Sequence, residues 1–122
     1  MRRILFVLFA EDGCRQAHAL WYVLDLHAEG HQVRLLLEGA ATQLLARLDE
    51  PGFELADPIR RAQAAGVLAG ACRRASVGCG CDADSSPAVE AARAAGIALP
   101  DGMGGHASIR EYVRDGYEIV VI

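Results

Sequence analysis

Hydrophobic positions along this chain follow two rhythms. Ile4-Leu5-Phe6-Val7-Leu8-Phe9 is an unbroken apolar run. It predicts a strand from Arg3 to Phe9 with both faces covered. Past Asp12 and Gly13, which serve as turn and cap, Ala17, Leu20, Trp21, Leu24 and Ala28 return at helical spacing until Gly30 ends the helix. Val33 to Leu37 repeats the strand pattern and stops at Glu38-Gly39. Ala40 to Leu48 predicts a short helix broken by Pro51-Gly52, and Phe53 to Ala65 another, open to interruption before Pro58. Gly66 to Gly70, small and apolar, predicts a short third strand, followed by a turn or short helix over Cys72 to Ser76.

The second half has more punctuation. Val77 to Ser86 is rich in Gly, Asp and Ser and reads as a mobile loop. Ser86-Pro87 is a helix start with proline at the first helical position, and Gly96 stops that helix after Ala95. Ile97-Ala98-Leu99 predicts a fourth strand, Asp101 to Gly105 a glycine loop, and Ser108-x-x-Glu111 a capping box for a last helix. Tyr117 to Ile122 predicts a fifth strand. Strands alternating with helices predict a mostly parallel sheet of about five strands. The expected fold is a three-layer α/β/α sandwich of the flavodoxin-like or Rossmann-like class, one domain over residues 1–122.

Composition narrows the chemistry. The 122 residues are 52% hydrophobic and 23% charged, which excludes a disordered chain and points to a buried subunit interface. A net charge of −4 gives no basic footprint for nucleic acid or an anionic membrane. No apolar run reaches the roughly 20 residues of a membrane span. Met1-Arg2-Arg3 before Ile4 to Ala10 imitates a short signal peptide, but Ala10-Glu11-Asp12 is a poor cleavage context, so a cytoplasmic location is expected. Lysine is absent, which excludes P-loop and Schiff-base chemistry, and no Gly-x-Ser-x-Gly elbow exists. Carboxylates, four His and four Cys remain.

Ligands of open parallel sheets bind beyond the carboxyl ends of the strands. Cys14 and His18 follow the first strand at i and i+4 on one helix face, Glu38 ends the second, Cys72 follows the third, and His106 follows the glycine loop. Arg73, Arg74 and a helix start would lower the Cys72 thiol pKa, making Cys72 the thiol expected to react first near pH 7. Glu38 is a candidate acid/base group, set against the common case of a solvated strand-end carboxylate. Cys14, His18, Cys72 and His106 together also form a candidate set for a soft metal such as zinc, copper or nickel. Cys79-Gly80-Cys81 matches no standard zinc spacing. His27 and His31 flank Gly30 at the opposite pole and read as surface residues.

Several segments resemble a small cytoplasmic branch of the DsrE/DsrF-like family: Leu5 to Phe9, Cys14-x-x-Ala17-His18-Ala19-Leu20, Leu24-Asp25-Leu26-His27, Gly30-His31-x-Val33 and Glu38-Gly39-Ala40-Ala41-Thr42. Gly70-x-Cys72-Arg73, Gly105-His106-x-Ser108 and Gly116-Tyr117-Glu118 extend the resemblance over nearly the whole chain. It implies a DsrE-like α/β sandwich, assembly as a homotrimer or homohexamer, and sulfur relay through a persulfide on Cys72. His18 or His106 would then transfer or orient a proton, and a sulfur donor or acceptor protein would be the partner. Relatives carry Cys-x-x-Cys at this turn where this chain has Ala75, so a dithiol mechanism would require Cys79 or Cys81.

Overall fold

The most apolar runs form the central strands. In a computed structural model that describes residues 1–78 and 84–122, every residue of β1 (Arg3–Leu8) from Ile4 onward is buried. β2 (Gln32–Leu37) lies parallel to it, Arg3 opposite Gln32 and Leu8 opposite Leu37. Between them runs α1 (Gly13–Ala28), started by the Asp12 carboxylate accepting the Arg15 N–H at 3.0 Å. A 3-10 helix (Gly39–Arg47) and α2 (Ala56–Ala64) lead to β3 (Leu68–Ala71). Pro58 sits in the first turn of α2, where a missing N–H leaves no bond unmade. α3 (Arg73–Val77), α4 (Pro87–Ala95) and α5 (Arg110–Arg114) precede β4 (Glu118–Val121). The four strands are all parallel in the order β3-β2-β1-β4.

Alternation along the strands divides the core. Ile4, Phe6 and Leu8 join Val33, Leu35 and Leu37 on one face, packed by Leu20 and Val23 of α1, Leu44 and Leu45 of the 3-10 helix, Ile59 of α2 and Ala92 of α4. Leu5, Val7 and Leu36 turn to the other face, where the cover is thinner: Cys72, Ala75 of α3, Ala107, Ile109 and Tyr112 of α5. β4 is an edge strand, and its Val121 is 64% exposed.

Two expectations need correction. Among the described residues the sheet has four strands, not five, because Ile97 to Leu99 forms no strand. This segment does run beside β3: Ala71 N–H donates to the Ala98 carbonyl at 3.0 Å and Arg73 N–H to that of Pro100 at 3.1 Å. A parallel ladder needs a return bond from residue 100, and proline has no N–H to give. The Ser108–Glu111 capping box is not made either. Ile109 is the N-cap of α5, and the Ser108 hydroxyl accepts from the Arg110 backbone N–H and Nε at 3.2 and 2.9 Å. The short helix expected over Ala40 to Leu48 is present as the 3-10 helix Gly39–Arg47. By contrast, Ser86 caps α4 through the Val89 N–H and Gly96 (φ +72°) ends it where the sequence places those signals.

Gly70 marks how tightly residues 98–100 press on β3. Its φ is +141°, and a Cβ there would overlap the Ala98 carbonyl and lie 2.9 Å from Pro100 Cδ. Gly70→Ala is therefore expected to lower stability by about 2 kcal/mol or more. Urea denaturation checks this, and a midpoint equal to the parent's would mean the two segments are not in that contact.

Candidate functional site

Cys72 is held in place through its backbone. Its N–H donates to the Leu37 carbonyl at 2.9 Å, which extends the β2–β3 ladder by one residue. Its carbonyl then accepts from the Ser76 N–H at 2.9 Å and the Ser76 hydroxyl at 2.8 Å as α3 begins. The side chain points into the smaller core and is 0% exposed.

Two groups from one segment reach the sulfur. The Ala107 N–H donates to Sγ at 3.3 Å, and His106 Nδ1 lies 3.7 Å away. Reciprocal bonds between the backbones of Met103 and His106, at 2.9 and 3.0 Å, close the turn that presents them. Gly105 allows that turn (φ +96°), and its carbonyl accepts the Arg74 N–H at 3.0 Å. Glu38, only 9% exposed, is the third neighbour; its own N–H is bonded to the Leu8 carbonyl at 2.8 Å.

This environment reverses the expected acidity of Cys72. Burial pushes the thiol pKa up, and the negative charge of Glu38 raises it further. The amides of Ala75 and Ala107 pull the other way without prevailing, and Arg73 and Arg74 are not among the groups that act on it. Cys72 thus rests as a protonated thiol, against the expectation of a lowered pKa. The expectation of a solvated Glu38 is corrected too. Neither burial nor the Ala107 amide has a signature in residue type.

Cys14 and His18 form a second pair, in the open. Sγ and Nδ1 are again 3.7 Å apart, but both residues are exposed on α1. His18 Nδ1 lies 2.7 Å from the Cys14 carbonyl, and a carbonyl can only accept, so Nδ1 carries the proton. His18 therefore does not join Cys72 as the sequence-based proton-transfer reading allows. Among the described residues, no three His, Cys, Asp or Glu side chains gather to hold a metal ion. The proposed set of Cys14, His18, Cys72 and His106 separates because Cys14 and His18 are exposed on α1, which packs on the larger core, whereas Cys72 turns to the smaller core on the other face of the sheet. Cys79 and Cys81 lie outside the described residues.

At the amino ends of the strands, the half-buried His31 accepts the Arg2 N–H on Nδ1 at 3.0 Å, while His27 is exposed. No helix among the described residues is long and apolar enough to cross a membrane. No family model, curated protein or solved structure matches the chain.

Two outcomes follow from these environments. With Cys79 and Cys81 replaced by Ser, iodoacetamide at pH 7 is expected to modify Cys14 at least about tenfold faster than Cys72. Peptide mapping against time reads the two rates, and Cys72 reacting first would contradict its burial. The second concerns stability. An acid whose folded pKa is raised contributes stability that is complete below its unfolded value, about 8.5 for a thiol, and lost as pH rises through the folded one. The urea midpoint should therefore decline above about pH 8.5, and Cys72→Ala should lack that part of the decline.

Proposed function

We propose that this chain is a DsrE-like sulfur-handling protein that carries sulfur as a persulfide on Cys72. The observation that supports this reading most is the placement of one thiol beyond the third parallel strand with a backbone N–H at 3.3 Å and an imidazole nitrogen at 3.7 Å. His106 is the base for the thiol proton, and the Ala107 amide stabilises negative charge on sulfur. In the transfer step the proton of Cys72 moves to His106. The thiolate attacks the terminal sulfur of a donor persulfide, a new S–S bond forms at Cys72, and the donor's S–S bond breaks. The donor departs as a thiolate and takes the proton from His106. One thiol and one persulfide enter and one of each leaves, so no external oxidant or reductant is needed.

The same reading carries the fold to the three-layer sandwich of that family, with the thin layer over Leu5, Val7 and Leu36 as its third layer. It sets the protein in the cytoplasm, where thiols stay reduced, with a sulfur donor or acceptor protein as partner. Self-association, as the homotrimer or homohexamer that the resemblance implies, is supported by the exposed Phe9, Trp21, Tyr22, Val113 and Val121.

Incubation with a small-molecule persulfide followed by intact-mass measurement tests the assignment. The parent and Cys14→Ser are expected to gain one sulfur atom that a reducing agent removes, and Cys72→Ser to gain none at that site. Unchanged uptake in Cys72→Ser, with the sulfur mapped to another cysteine, would overturn it.

A further inference from the structure

We propose that Glu38 and Cys72 are a carboxylate–thiol pair holding one proton between them, with Glu38 as the positioning residue that decides when Cys72 becomes a thiolate. The functional meaning rests on the sulfur-relay reading, but the pair itself follows from the sheet. Leu37 stands opposite Ala71 in the β2–β3 register, so Glu38 and Cys72 are the next residues on two adjacent strand ends. Alternation turns Leu36 and Cys72 to the smaller core, and Glu38 shares the parity of Leu36. Neighbouring parallel strands lie about 4.8 Å apart, which is thiol-to-carboxylate reach. Both groups are buried, at 9% and 0% exposure.

Two negative charges at that separation in a low-dielectric site repel strongly, so one group keeps the proton. At rest it is the thiol: burial and the charge of Glu38 both oppose its ionisation. Other charged or titratable groups on the surrounding elements are His106, Arg73 and Arg74 of α3, Tyr112 of α5, and Tyr117 just before β4. Arg34, on the Leu36 face of β2, is committed to the Gly66 carbonyl. Glu38 is the one anion acting on the sulfur among the described residues. Removing the Glu38 charge leaves the Ala75 and Ala107 amides to favour the thiolate unopposed by charge.

The test needs no sulfur donor. In a chain keeping Cys72 as its only cysteine, the thiolate ultraviolet absorbance is titrated against pH. Glu38→Gln is expected to lower the midpoint by about one unit, a tenfold gain in thiolate fraction below it, and Glu38→Asp to keep it raised. A Glu38→Gln midpoint equal to or above the parent's overturns the pair. Should that variant not fold, infrared titration of the Glu38 carboxyl in the parent and in Cys72→Ser decides. A carboxyl signal indifferent to Cys72 overturns the proposal, and one that changes supports it. Failed persulfide uptake with a shifted midpoint would remove the relay and leave the pair standing.

Discussion

Everything about Cys72 depends on the backbone contact between the end of β3 and residues 98–100. Gly70 lets the Ala98 carbonyl approach so closely that no side chain fits, and the N–H groups of Ala71 and Arg73 are then satisfied by Ala98 and Pro100. Because Pro100 returns no bond, the sheet ends there and the chain is free to turn. That turn carries residues 101–106 back over the sheet and sets the Ala107 amide against the sulfur. One strand edge thereby fixes the start of α3, the path of the glycine loop and the burial of the thiol.

Burial sets the chemistry that follows. A thiol at the start of a turn, next to two arginines, would ionise readily if it faced solvent. Here the sulfur faces Leu5, Val7 and Leu36 instead, and desolvation outweighs the two amides. The nearest anion, Glu38, reinforces the neutral form. A resting thiol in this setting is protected from adventitious oxidation, since the thiolate is the reactive species. Any relay through it must therefore include a step that moves a proton.

The fold was legible where local chemistry decides it. Ser86-Pro87 and Gly96 bound α4 because capping needs only neighbours in sequence, and Ile4 to Leu8 reads as a strand because both faces are buried. Ile97 to Leu99 has the composition of a strand but lacks the ladder, since that depends on a proline one residue later and on a glycine far upstream. Ser108 and Glu111 have capping-box spacing, yet Arg110 takes the hydroxyl first. At the site, the strand-end argument set Cys72 and His106 at one pole, and the structure brings Sγ and Nδ1 to 3.7 Å. The direction of the Cys72 pKa did not follow from Arg73 and Arg74, because adjacency in sequence does not make a guanidinium face a thiol.

The two Cys–His pairs show why spacing alone cannot name a reactive thiol. In each, sulfur and Nδ1 are 3.7 Å apart. Around Cys14 and His18, water screens the interaction, and the Nδ1 proton is committed to a carbonyl of the same helix. Around Cys72 and His106, the same distance lies in a low-dielectric pocket where a proton shift, an amide dipole or a single carboxylate changes the charge state of sulfur. The exposed pair is the more accessible one, and the buried pair is the more controllable one. Accessibility favours reaction with any electrophile, whereas in the proposed relay Glu38 and His106 would confine reaction to one step. With residue types shared by the two pairs, burial of the sulfur, and with it the Ala107 amide and Glu38, separates them.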